Sequence, residues 1–194
     1  MAEVHVIGEI AGASGFPSSS LFCKWSLEVG ASGAVIGRGG EGGEAYAAAE
    51  GWRKISGTTS GRTQVDAPAD DAPTVWAHPF DVHYALSTVV GWPRLKVEVW
   101  HQDRYGRDEL YGYGFVHLPT APGAHELDIA TWRPARSWWD SLKAFFLGGS
   151  PELVNDDVVT APLDRFNLQT ESMGFVHVSV NVIHRHFAEN DVQA

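Results

Sequence analysis

The chain has 194 residues, of which 44% are hydrophobic and 20% charged, with eight tryptophans; that is enough apolar surface to form a core, which excludes a chain disordered throughout. Fourteen Lys and Arg against 24 Asp and Glu leave a net charge of −10, the wrong sign for neutralising nucleic-acid phosphates or for holding to anionic lipid by charge alone. The single cysteine, Cys23, excludes an intrachain disulfide, a cysteine-based zinc site and a CxxC redox pair, and fits a reducing compartment.

The start carries no basic segment followed by a long apolar run, and no stretch reaches the roughly 18 to 20 apolar residues of a membrane span. A soluble, cytosolic chain of one domain is the expectation, spanning 1–187 with a tail at 188–194.

Val4, Val6 and Ile10 alternate with His5, Ile7 and Glu9, the period of a first strand, and the turn formers of Gly12 to Ser20 follow it. Leu21 to Val29 reads as a second strand. Gly30 to Gly51 is so rich in Gly, Ala and Glu that it has little to bury, and is read as a flexible insertion. Trp52 to Ser56 and Arg62 to Asp66 are short strand candidates on either side of a Gly57 to Gly61 turn. Ala67 to Pro73 is a loop, and Thr74 to Leu86 is extended around Pro79, which predicts a bulge or an edge there.

Leu95, Val97 and Val99 face away from Lys96, Glu98 and Trp100, a half-buried strand. Leu110 to Leu118 and His125 to Ile129 continue the series, with turns at Asp103 to Arg107 and Pro119 to Gly123. Val176, Val178, Val180 and Val182 line one face of a last strand expected to be central. Between these, Ser137 to Leu147 places Trp138, Trp139, Leu142, Phe145 and Phe146 on one stripe at ~100° per residue. A Ser137-x-x-Asp140 start and a Gly148-Gly149 stop make this a helix. The fold class is therefore all-β: an antiparallel β-sandwich with one short crossover helix.

Catalytic and cofactor signals are weak. Gly37-x-Gly39-x-x-Gly42 has the dinucleotide spacing but sits in a glycine-biased tract without strand–turn–helix context. His184 and His186 share a face of the last strand, yet His177 lies on the other and no carboxylate stands at ligand spacing, so surface histidines are expected rather than a metal site. No Gly-x-Ser-x-Gly elbow occurs, and Cys23 sits mid-strand where burial would leave it inert. No catalytic residue, no cofactor and no metal is assigned. Trp132, Trp138, Trp139, Phe145 and Phe146 crowd one short region and are candidate partner-contact residues.

The run Arg94 to Gly114, RLKVEVWHQDRYGRDELYGYG, resembles the corresponding run of C2 domains, the calcium- and lipid-binding β-sandwiches. Calcium takes 6 to 8 oxygen ligands. Here His101 stands at the first acidic position of the loop motif, leaving Asp103 with Asp108 or Glu109, and GASGFPSSS from Gly12 to Ser20 has no acid at all. The resemblance is thus to a C2 domain without its calcium site. Further stretches (MAEVHVIGEI with AGASGF, SLFCKW, TQVD, WAHPFDVHYA, GWPRL, LYGYGFVHLP, TWRP and GFVHVSV) resemble the B9 domain family from Met1 to about Phe187. That resemblance implies a non-enzymatic C2-like subunit of the Meckel syndrome, or tectonic-like, complex at the ciliary transition zone. Its implied partners are B9 domain-containing protein 1 and Meckel syndrome protein 1, joined as a heteromer without calcium, nucleotide or metal. Membrane contact is expected to be indirect or weak, the alternative being a calcium-independent peripheral lipid-binding module.

Overall fold

The computed structural model describes residues 1–30, 51–69, 72–135 and 169–190. Nine strands follow in chain order: β1 (Ala2–Ser14), β2 (Leu21–Glu28), β3 (Trp52–Gly57), β4 (Ser60–Arg62), β5 (Thr74–Leu86), β6 (Arg94–Gln102), β7 (Asp108–His117), β8 (Gly123–Pro134) and β9 (Thr170–Arg185). All the pairings are antiparallel, and the hydrogen-bonded order is β3-β5-β1-β9-β8-β7-β6-β2-β4. A single register pair, Tyr113 with Trp132, links β7 to β8. At that seam the order folds into two layers, β3-β5-β1-β9-β8 facing β7-β6-β2-β4.

The layers meet through the alternation in the sequence. Val4, Val6 and Ile10 of β1, Val82 and Tyr84 of β5, and Val176, Val178, Val180 and Val182 of β9 share one core with Cys23, Trp25 and Leu27 of β2 and Leu95, Val97 and Val99 of β6. Each such side chain contributes about 1.5 to 3 kcal/mol on burial. Trp25 and Phe80, from strands far apart in the order, approach at a centroid distance of 5.4 Å. The Trp76 indole N–H donates to the Leu21 carbonyl across the same gap at 3.0 Å. β9 is central, between β1 and β8, as its valine face predicts.

Three local differences from the sequence reading have physical causes. β1 runs on to Ser14 because Gly12, lacking a Cβ, lets the Thr74 carbonyl of β5 pass where a side chain would stand. The third and fourth strands are set differently: β4 is Ser60–Arg62, so Ser60 and Gly61 belong to the ladder and not to the turn. Beyond Arg62 the Thr63 N–H still donates to the Cys23 carbonyl, but the Cys23 N–H is taken by the Thr63 hydroxyl at 2.9 Å, and only an isolated bridge from Asp66 to Leu21 follows. A side chain there replaces a backbone partner and ends the ladder.

At Pro79 both anticipated features are found nearby. The register jumps between His78 and Val75, with Ala77 at φ 45°, and the pairing with β3 stops at Val82. Finally, β6 is covered on both sides: Lys96 and Trp100, which point away from the main core, are buried too. The predicted helix at Ser137 to Leu147, the insertion between Gly30 and Gly51 and the Gly37 to Gly42 motif lie outside the described residues. After β9 a 3-10 turn forms at Ala188–Asn190. Among the described residues no helix is long and apolar enough to cross a membrane.

Candidate functional site

One end of the sandwich is closed by the β1–β2 loop and the β6–β7 turn, which are bonded to each other. Ser20, at φ 67°, donates its hydroxyl to the Gln102 carbonyl at 2.9 Å and accepts the Gln102 N–H at 2.9 Å. The His101 Nδ1 stands 2.9 Å from the Ser19 carbonyl, which assigns the proton to Nδ1, and the ring stacks on Tyr111 at 5.1 Å.

The Asp103 carboxylate is spent on its own turn. Its Oδ1 accepts the N–H groups of Tyr105 at 2.8 Å and Arg107 at 2.9 Å. Its Oδ2 accepts the Arg107 guanidinium through Nε and Nη2, both at 2.7 Å. Hydrogen bonds to the charged form favour it: the Arg107 N–H foremost, with the Arg107 side chain and the Tyr105 N–H, holds this carboxyl below its ordinary value. Asp108 accepts the Gln102 side-chain amide at 3.0 Å. These residues do not fit a calcium ion, which needs several free carboxylates from two loops. Asp103 and Asp108 instead knit the hairpin, and the facing loop offers no carboxylate, with its Ser14, Ser18 and Ser20 hydroxyls and Ser19 and Ser20 carbonyls already hydrogen-bonded.

On the outer face of the second layer lies a small separate cluster. Phe22 and Trp100, paired in register, stack nearly parallel at 6.3 Å. The Arg62 guanidinium covers Phe22 at 3.7 Å, and the Lys24 ammonium covers Trp100 at 3.9 Å. Leu110 and Tyr113 complete the buried set, with Val65, Phe115 and Trp132 packed against it. Trp132 is half-buried, its ring 5.8 Å from Tyr113 at the seam between the layers. It is thus part of the packing of its own chain, with one side left toward solvent. Trp138, Trp139, Phe145 and Phe146 lie outside the described residues.

The histidines of the last strand do not converge. His184 packs against Phe187 at 4.1 Å and Trp92 at 5.9 Å, and burial pulls its imidazole below the ordinary value. His186 lies past the end of β9 at φ 59° and bonds to Glu189. His177, on the opposite face, instead joins Ser14 at 2.8 Å and Asp128 at 2.6 Å. This chain has the order of a hydrolase triad, but the Asp128 and His177 side chains are 72% and 42% exposed. In a hydrolase the aspartate is buried, and burial is what fixes the imidazole; here water competes for both bonds. Cys23 is buried, and desolvation pushes its thiol far up, as its mid-strand place predicts. The grouping that sequence reasoning missed is Glu3, His5 and His83, brought together by the pairing of β1 with β5. Glu3-x-His5 on one strand face was its only local signal.

The two-layer antiparallel sandwich and its closed loop end define a C2-like module without calcium-binding loop chemistry. Comparison with known proteins gives the family. A family profile, B9-C2, described as "Ciliary basal body-associated, B9 protein", matches residues 4–183. B9 domain-containing protein 2 of Xenopus laevis is 44% identical over 194 residues, covering 100% of this chain and 99% of that one. The Homo sapiens protein of the same name is 43% identical over 193 residues, covering 100% and 99%. B9 domain-containing protein 1 of Mus musculus is 31% identical over 135 residues, 68% of this chain and 66% of that one. Among solved structures, the C2A domain of plant Extended Synaptotagmin 1 aligns over 93% of each chain with a TM-score of 0.41 and 14% identity. The chain belongs to the B9-C2 family.

Proposed function

We propose that this chain is a non-catalytic assembly subunit at the base of the cilium. In this reading it joins B9 domain-containing protein 1 and Meckel syndrome protein 1 in the tectonic-like complex of the transition zone, supporting cilium assembly and the gating of membrane-protein entry. The observation that carries it is the closed loop end: with Asp103 consumed by Arg107 and Tyr105, a C2-like sandwich keeps its shape without ion-dependent chemistry, and its surface is left for protein contact. Support also comes from the family description and from the full-length likeness to B9 domain-containing protein 2. The proposed contact residues are Trp132, Trp138, Trp139, Phe145 and Phe146, which crowd one short region of the sequence, since interface hot spots are enriched in Trp.

The test is reconstitution of the three purified chains without added calcium, followed by size exclusion with light scattering. Co-elution as a heteromer is expected; separate elution of folded proteins at micromolar concentration refutes the reading. Trp138→Ala separates two roles for these aromatics: as an exposed anchor its loss abolishes pull-down of a B9 partner and spares the melting temperature, whereas as a core aromatic closing the end of its own sandwich its loss costs roughly 3 to 5 kcal/mol and shows as loss of folded protein.

A second reading, a calcium-independent lipid-surface module, would rest on one feature. Tyr105 is 69% exposed at the tip of the β6–β7 turn, with the Arg104 and Arg107 guanidiniums 4.9 and 5.5 Å from its ring. Co-sedimentation with phosphatidylserine vesicles decides it: strong, salt-sensitive binding that Tyr105→Ala and Arg104→Ala remove would establish this reading.

A further inference from the structure

The outer face of the first layer carries a cluster the assembly reading does not use. Glu3 and His5 stand two residues apart on β1, so both point away from the core that holds Val4 and Val6. His83 of β5 is the register partner of His5. The two imidazoles stack at a centroid distance of 3.9 Å and an angle of 15°; because an imidazole lone pair lies in the ring plane, one ring turns about its side-chain torsions to share an ion with the other. One ligand atom from each of Glu3, His5 and His83 lies within 4.8 Å of the others.

The Glu3 Oε2 and His83 Nε2 atoms are 3.5 Å apart. That is too long for a good hydrogen bond and close to the ~3.3 Å edge between two donors held ~2.0–2.1 Å from a tetrahedral zinc ion. Both atoms are buried, and neither has a hydrogen-bond partner. Buried polar atoms are seldom left this way, and a cation between them satisfies both at once. Side-chain exposures of 26% for Glu3 and 17% for His83 leave an entry path while excluding most water.

We infer that Glu3, His5 and His83 form a binding site for one borderline divalent transition metal ion, of which Zn²⁺ is the probe. Two imidazoles and one carboxylate are the donor set of such ions, whereas calcium and magnesium take oxygen alone. Three protein ligands leave the fourth position to water. The nearest competing cation is the Arg185 guanidinium, 3.7 Å from Glu3 Oε2; its side chain is 64% exposed, so it can shift to the second carboxylate oxygen when an ion binds. The site ties β1 to β5 across the face opposite the core.

The test uses the untagged full chain, stripped with chelator and titrated with zinc chloride by calorimetry. One equivalent is expected to bind with micromolar or tighter affinity and to raise the melting temperature, since an ion held only by the folded state stabilises it. Calcium chloride is expected to give neither effect. His5→Asn, His83→Asn and Glu3→Gln should each weaken zinc binding by more than about tenfold, because even loss of a second-shell group costs ~10–100-fold at metal sites. His184→Asn and His186→Asn should leave it unchanged. Melting curves in chelator verify that the variants fold, and cobalt chloride gives a second readout on the unaltered chain: visible absorption bands of a four- or five-coordinate nitrogen and oxygen site. No saturable zinc uptake, an affinity indifferent to His5 and His83, or no cobalt bands overturns the inference.

Discussion

Thr63 offers a sharp test of how the edge of this sandwich is held. The side chain is buried; its hydroxyl accepts the Cys23 N–H at 2.9 Å and donates to the Gln64 carbonyl at 2.9 Å. Thr63→Val keeps the volume and the β-branched shape but removes both bonds, stranding the N–H of a residue with no exposure to water. Leaving a buried donor unmade costs about 1 to 3 kcal/mol. Thr63→Ser keeps the hydroxyl and loses one methyl, about 0.8 kcal/mol. Valine is the more apolar residue and a good strand former, so burial or propensity alone would rank it above serine. The hydrogen bond reverses that order. Urea denaturation read by linear extrapolation, with an unchanged slope, measures the difference. The expected outcome is Val below Ser, and below the unaltered chain by roughly 2 to 4 °C in melting temperature for each kcal/mol in a domain of this size. A Thr63→Val protein as stable as Thr63→Ser would refute the claim that this hydroxyl stands in for a ladder bond.

Gly8→Ala should destabilise by about 1 to 3 kcal/mol, the usual cost of overpacking. Its new methyl would strike the Ser179 carbonyl and come within 2.8 Å of Phe80 Cζ; denaturant unfolding checks it. Native Cys23 should resist thiol reagents until the chain unfolds. The unfolded thiol loses its proton near the ordinary value of 9.0 while the buried one keeps it, so the unfolded state binds fewer protons and stability falls as pH rises past that point. That fall should be shallower in Cys23→Ala. Calorimetric titration with calcium chloride should show nothing tighter than millimolar. The lowered Asp103 carboxyl has the opposite sign: its contribution to stability is present above its ordinary value of 3.8 and is lost as pH falls, which acid titration of Asp103→Asn beside the unaltered chain will reveal.

The parts of this fold legible in the sequence are those in which one face of a strand meets a core. Val176 to Val182 alternate because alternate residues are buried, Leu95, Val97 and Val99 recur at every second position because that face meets the main core, and their strands stand where the pattern puts them. The edges were harder to read. Ser60 and Gly61 belong to a three-residue strand whose exposed side chains carry no hydrophobic signal, while Thr63 reads as strand but spends its hydroxyl where a carbonyl would stand.

At the loop end, the shortage of carboxylates was visible. That Asp103 serves its own turn was marked only by the Arg four residues on and by Gly106, at φ 77°, between them. The Glu3, His5 and His83 cluster depends on a register between β1 and β5, and no local pattern states a register.

Charge at the loop tip bears on the choice between protein and lipid as the surface this module meets. From Asp103 to Glu109, two guanidiniums are set against three carboxylates, and the closest pair, Arg107 with Asp103, neutralises itself at 2.7 Å. Arg104 is then the one cation in that run without such a pairing among the described contacts, well short of the four to eight basic residues that hold a surface to anionic lipid. Tyr105 supplies apolar area but no long-range attraction, and the whole chain at −10 is repelled by such a membrane before contact. A protein partner imposes no such barrier: an exposed aromatic ring between two arginines is the composition enriched at protein interfaces, and a turn fixed by four bonds to one carboxylate loses little conformational entropy on docking. The same tip that is poorly suited to a lipid surface is therefore well prepared to be one contact of a heteromer.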